Sequence, residues 1–276
     1  MAREQRFVFG EVAELYDRAR PGYPAELIDD VIGSTGSPSG GPSGRPARML
    51  EAGAGTGKAT VAFARRGLGI VAVEPNAGMA AIAAQALAPF ADVEVVVATF
   101  EDWEPPAGEA GSFDFVVAAQ SWHWLAPELR CAKAGALLRP GGTLALFWNL
   151  PVWEDAELRD RLDEVYGTHA AGLGAAPIFP RLSATGEGSR IVEEIESSAL
   201  FGPVEQRSYR WVQPYTTRQY LDLTTTHSDH RLLPEAVREA LLRAVAEVLE
   251  RRGGGFDMVY EAKLYLAHRR AGATST

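Results

Sequence analysis

Met49-Leu50-Glu51-Ala52-Gly53-Ala54-Gly55-Thr56-Gly57-Lys58 decides the fold, and Val71-Ala72-Val73-Glu74 answers it about 20 residues later. Met49 and Leu50 read as the end of a buried strand, and Ala59 to Arg66 has helix-forming composition. Between them, Gly53, Gly55 and Gly57 make a turn with no side chains to block a ligand, so a ligand can lie against bare backbone. Glu74 ends the next apolar run and is expected at the carboxyl edge of a parallel strand. A carboxylate there can hold two ribose hydroxyls, so strand, glycine turn, helix and spaced acid together imply a nucleoside-containing ligand.

The loop chemistry narrows which nucleoside. A nicotinamide dinucleotide rests its pyrophosphate on a Gly-x-Gly-x-x-Gly turn at a helix N-terminus. Here the glycines alternate, and Glu51 stands just before them, where it repels phosphate and favours a ligand carrying positive charge. The run Glu51-x-Gly53-x-Gly55-x-Gly57 resembles motif I of class I S-adenosylmethionine-dependent methyltransferases. Further similarity follows in order: Val73-Glu74-Pro75-Asn76-Ala77-Gly78-Met79 resembles the family's second strand and ribose acid, and Phe113-Asp114-Phe115-Val116-Val117 its fourth strand. Leu138-Arg139-Pro140-Gly141-Gly142-Thr143-Leu144 resembles the turn into its fifth.

The chain has 276 residues, 46% of them hydrophobic, enough for one large domain with an elaboration. Its formal charge of −9 offers no basic field for phosphate backbones, so nucleic acid is not an expected partner. A lone cysteine, Cys131, excludes an intramolecular disulfide and a multi-cysteine zinc site. No apolar run reaches a membrane-spanning length, and Met1 to Gln5 lead into no signal-like segment, so no membrane partner and a cytoplasmic location are expected.

Alternating strand and helix patterns from Arg48 to Trp148 predict an α/β, doubly wound parallel sheet. Helical patterns at Ala59–Arg66, Ala77–Ala88 and Pro127–Leu138 separate strands at 48–51, 70–74, 93–97, 113–119 and 143–148. The whole chain, 1–276, reads as a single domain with four parts. Residues 1–46 are an N-terminal helical flap and a Gly, Ser and Pro loop, and 47–150 are the cofactor-binding core. Residues 151–203 form a substrate-side insertion after strand five, with helical segments Glu154–Tyr166 and Ser189–Ser198. Residues 204–276 hold a strand at Glu205–Val212, a helix starting at Pro234 and a final strand, Phe256–Leu266. The resemblance implies a Rossmann-like sheet of seven strands, with the last strand antiparallel between strands five and six.

It further implies S-adenosylmethionine as cofactor, bound by Arg20, Glu51, Gly53, Ala54, Gly55, Glu74, Pro75, Met79, Phe100, Glu101, Gln120 and Trp122. Arg20, in Tyr16-x-x-x-Arg20-Pro21, would lie over the cofactor's amino-acid end, and Phe100 and Glu101 beside its adenine. Gln120-Ser121-Trp122-His123-Trp124 follows strand four, at the edge where open α/β sheets bind ligands. His123 is the catalytic candidate, either as a base or as an imidazole that orders the loop. Tyr16, Tyr23, Trp124, Asn149, Trp153 and His227 are the candidate substrate wall. His227-x-x-His230 lacks a distant third ligand, so no metal site is expected. The implied activity is methyl transfer to a small organic molecule by in-line displacement. Two alternatives stand beside it: a protein that binds S-adenosylmethionine without methyl transfer, as sensor or scaffold, and a nicotinamide-dependent oxidoreductase, which the glycine spacing opposes.

Overall fold

The computed structural model describes residues 13–35, 46–173 and 187–272. Most of the Gly-Ser-Pro stretch, residues 7–12 of the flap and the middle of the insertion lie outside the described residues.

Seven strands form one sheet in the order β3-β2-β1-β4-β5-β7-β6. They are β1 (Arg48–Ala52), β2 (Gly69–Glu74), β3 (Val93–Val97), β4 (Phe113–Ala119), β5 (Leu138–Val152), β6 (Glu205–Thr216) and β7 (Gly255–His268). The first five pair in parallel, and β7 runs antiparallel between β5 and β6. Such a sheet needs both faces covered. Here β4 is buried along its whole length, and its alternate residues feed opposite cores. Val116 and Ala118 join Leu50, Val73, Leu144 and Trp148 on one face; Phe115 and Val117 join Met49, Ala72, Ala145 and Phe147 on the other.

The helices are α1 (Ala13–Ala19), α2 (Ala25–Gly33), α3 (Lys58–Ala64), α4 (Ala77–Leu87) and α5 (Pro127–Leu137). After β5 come α6 (Ala156–His169), α7 (Glu187–Ser197), α8 (Thr217–Thr225), α9 (Ser228–Arg231) and α10 (Glu235–Arg251). Their starts follow local chemistry. The Asn76 side chain accepts from the Gly78 and Met79 N–H groups to begin α4, and Asp155 accepts from Leu158 to begin α6. Thr216 and Gln219 form a reciprocal capping box at α8. Neither α8 nor α9 has the long apolar period that marks a helix in sequence, and the expected strand at 205–212 in fact runs on to Thr216, ending at that cap.

The two described α-helices between β5 and β6 join different cores. The first, α6, sends Leu158, Leu162 and Tyr166 into a third core, with Tyr215, Tyr220, Leu241, Val245 and Tyr260. The second, α7, packs Ile191 and Ile195 against Cys131 and Phe201, where Glu194 pairs with Arg130 of α5. Burial and the Glu194 carboxylate push the Cys131 thiol up to about 12, so it behaves as a small core residue. Among the described residues no helix is long and apolar enough to cross a membrane, and no group of three or more metal-ligating side chains occurs.

Candidate active site

The β1–α3 turn is built by backbone conformation. Gly53, Gly55 and Gly57 adopt φ of +74°, +59° and +85°, a region that costs other residues about 1–2 kcal/mol. The Gly53 and Ala54 N–H groups donate to the Val73 carbonyl at 2.8 and 3.1 Å, closing the turn onto the end of β2. A Cβ at Gly53 would stand 2.7 Å from Cβ of Ser121, so the turn also fits closely beneath the end of β4. Ser121 Oγ donates to the Ala52 carbonyl at 2.5 Å and locks the two strand ends together.

Glu74 lies 5% exposed at the end of β2. Its Oε2 accepts from Gly55 N–H at 2.8 Å and its Oε1 from Asn76 N–H at 2.9 Å. Two backbone donors fix the carboxylate. Glu51 is more deeply buried, 1% exposed, and accepts from Thr60 Oγ1 at 2.6 Å. Burial, with help from the Glu74 charge, raises its pKa from 4.5 to about 7 against the pull of the Thr60 bond.

Two adjoining hollows open on this turn. The larger encloses about 650 Å³ of non-atom space, open to solvent. Gly53, Gly55, Glu74, Pro75, Met79, Thr99, Phe100, Glu101, Gln120, Ser121, Trp124 and Leu125 line it. The smaller, about 410 Å³, is lined by Arg20, Tyr23, Glu51, Ala54, Thr56 and Lys58 among others. Tyr16, Gly53, Gly55, Ala119 and Gln120 border both. Gln120 is one of two non-glycine residues with positive φ among those described, at +58°, so the backbone is strained where β4 meets the hollow. Glu101 reaches from the larger hollow to the Ala126 N–H at 2.8 Å, just before α5, while Asp102 turns back to Thr99.

The expected site residues divide under this geometry. Eleven of the twelve cofactor candidates line one hollow or the other; Trp122 does not. Its indole is 0% exposed in the core beneath Arg130, because the 3₁₀ turn Trp122–Trp124 points alternate rings in opposite directions. Trp124 is the ring that faces the hollow. His123 lines neither. Its ring lies tilted against Trp124 with centroids 4.7 Å apart, and its Nδ1 accepts a long contact of 3.4 Å from the Trp148 indole N–H. Desolvation against the neighbouring rings, then the Arg130 cation, lowers its pKa, while the residue as a whole stays exposed to solvent.

Tyr16 and Tyr23 of the expected substrate wall border the hollows. Asn149 does not: its amide donates to the Gly22 carbonyl at 2.8 Å and accepts from the Trp211 indole at 3.2 Å, a tie between flap and sheet. Trp153 stacks on Phe256, 6.0 Å between centroids, inside the third core. His227 also lies off the hollows and touches Arg20 instead. Thr56, Lys58, Thr99, Ser121 and Leu125 are wall residues that the sequence did not single out. Thr56 and Lys58 stand inside the glycine motif, and Ser121 inside the Gln-Ser-Trp-His-Trp run, so position next to a motif was the available signal.

An open parallel sheet with a glycine turn after β1, an acid ending β2 and an antiparallel β7 defines the methyltransferase class of Rossmann-like folds. A family model described as a methyltransferase domain matches residues 50–146, the stretch from β1 into β5. The chain is similar to an uncharacterized methyltransferase of Mycobacterium tuberculosis, 28% identical over 247 residues that cover 90% of this chain and 87% of that protein. Among solved structures, a protein of Anaeromyxobacter dehalogenans named provisionally as a type II methyltransferase aligns with a TM-score of 0.60 at 19% identity, covering 90% of this chain and 97% of its own. An N-methyltransferase of Haemonchus contortus, solved with phosphomonomethylethanolamine and S-adenosylhomocysteine, aligns with a TM-score of 0.53 at 13% identity, over 98% of this chain and 60% of its own. Residues 50–146 thus match a methyltransferase domain, and the sheet has the Rossmann-like topology of the methyltransferase structures it aligns with.

Proposed function

We propose that this enzyme transfers the sulfonium methyl of S-adenosylmethionine to a small organic molecule, with the donor in the two hollows around the glycine turn. The observation that carries this is Glu74: a buried carboxylate held by two backbone N–H groups, beside a turn without side chains. That is an acceptor built for vicinal hydroxyls. Glu51 beside it supports a ligand with positive charge and opposes a pyrophosphate, since a second buried carboxylate repels phosphate and attracts an ammonium or sulfonium. Phe100, Met79 and Leu125 offer an apolar slot suited to a nucleobase, with the Glu101 carboxyl at its rim. Arg20, in the smaller hollow, suits the donor's carboxylate.

When bound, the donor supplies an electrophilic methyl whose sulfur leaves with the bond pair. The protein's part is alignment and exclusion of water. Tyr16 borders both hollows and Trp124 walls the larger one, so an incoming nucleophile meets aromatic faces near the carboxyl edge of β4. The net charge of −9 favours a small acceptor over a polyanion. Incubating the enzyme with methyl-labelled S-adenosylmethionine and a fractionated cell extract tests the proposal. New label in a low-mass metabolite is expected; label confined to the protein or nucleic-acid fraction would refute the small acceptor.

A further inference from the structure

Arg20 leaves the end of α1, where its N–H closes the last turn on the Tyr16 carbonyl at 3.0 Å. Its guanidinium crosses to residues more than 200 positions away. Nε donates to Thr226 Oγ1 at 2.9 Å, and Nη2 donates to the Thr226 carbonyl and to His227 Nδ1, each at 3.2 Å. The cation also lies over the Tyr16 ring, 4.9 Å from its centroid. These acceptors belong to the joint between α8 and α9, which its own bonds hold in shape. Thr226 Oγ1 gives its hydrogen to the Leu223 carbonyl at 2.6 Å, and the Thr226 and His227 N–H groups donate to Leu223 and Thr224. On its other side α1 is tied to the glycine-turn helix by Asp17, 3.5 Å from Lys58.

We infer that His227 is a positioning residue for Arg20: the α8–α9 joint orients the guanidinium over the smaller hollow, so the C-terminal layer sets affinity for the methyl donor. This rests on the donor site proposed above. An arginine that must order itself around an anion gives up rotamer freedom on binding, whereas one already fixed by three acceptors does not. His227 is buried and serves through Nδ1, the nitrogen that takes a hydrogen from Nη2. Burial, then the Arg20 and His230 charges, holds its pKa well below the usual imidazole range, which keeps that lone pair available.

The test is calorimetric titration of S-adenosylmethionine into the wild type and a set of variants, with the melting temperature of each. His227→Leu is expected to bind about 10-fold more weakly, the scale of one charge-assisted bond. His227→Asn, whose Oδ1 falls where Nδ1 stood, should stay within about threefold of wild type, while His227→Gln, which restores the Nε2 position instead, should behave as leucine does. Arg20→Leu/His227→Leu should bind no more weakly than Arg20→Leu alone. Should His227→Leu fail to fold, the Asn and Gln pair makes the same comparison. Asparagine no better than glutamine, or effects that add in the double variant, would overturn the inference while the wild type still binds the donor. A wild type that binds none would overturn the donor site itself.

Discussion

The glycine turn and the aromatic layer under α6, α8 and α10 both bury polar groups, and they satisfy them over different distances along the chain. At the turn the partners are near neighbours: Glu74 is held by Asn76 two residues away and Gly55 19 away, and Glu51 by Thr60 nine away. In the aromatic layer the partners come from separate elements. Tyr166 meets His230 at 2.8 Å across 64 residues, and Tyr215 meets Tyr260 at 3.0 Å across 45. A site made of local backbone geometry is fixed by a short run of sequence, whereas a layer of side-chain pairs exists only once the whole fold has closed. It follows that substitutions at the turn should lower affinity for the ligand, whereas loss of one of these tyrosine pairs in the layer should lower stability alone.

The sharpest way to break that contrast is Gly53→Val. A β-branched side chain at φ +74°, with its Cβ 2.7 Å from Ser121, adds backbone strain to overpacking. The expected cost is about 2–5 kcal/mol of stability with loss of measurable donor binding. A variant with wild-type affinity would show that the turn does not cradle the ligand. Glu74→Ala comes next. It removes the acceptor for Gly55 and Asn76 and for the ribose, and should weaken binding by about 1–3 kcal/mol, read by calorimetry.

Glu51 sharpens the comparison through pH. Its folded pKa of about 7 lies above its ordinary 4.5, so the free protein holds a proton there that the unfolded chain releases. Stability contributed by that proton is present below about pH 4.5 and is lost as pH rises through 7, whereas affinity for a cationic donor rises over the upper part of the same range. Glu51→Gln should flatten both slopes, melting higher than wild type at pH 8 while binding the donor several-fold more weakly. Parallel pH profiles for the two proteins would remove Glu51 from the site. The smallest effect belongs to the aromatic layer. Tyr166→Phe strips the buried hydroxyl from His230 and should cost about 1–3 kcal/mol by chemical denaturation with donor affinity unchanged within about twofold. A large change in affinity there would mean that the two regions are not separate.

The same difference in distance explains what the sequence disclosed. Strands β3 and β4 carry the bounds expected for them, because strand periodicity is local; the antiparallel place of β7 between β5 and β6 followed only from the family resemblance. Pro75, Met79 and Phe100 came with their motifs in the same way. Trp122 and Trp124 were indistinguishable until the 3₁₀ turn sent one ring inward and the other to the hollow. Asn149 and Trp153 look like cavity residues after a strand, yet Gly22, Trp211 and Phe256, all remote in sequence, decide where they go. For His227 the sequence offered only a short polar run, and its contact with Arg20 needed α1 and the α8–α9 joint to meet.

The β1–α3 turn and Glu74 are proposed to form the binding site for the methyl donor. A crystal structure with S-adenosylhomocysteine tests this most directly. The nucleoside is predicted to lie in the two joined hollows, with both ribose hydroxyls within hydrogen-bond distance of the Glu74 carboxylate and the adenine against Phe100. Density for the nucleoside anywhere else on the molecule, or a ribose that leaves Glu74 untouched, would contradict it.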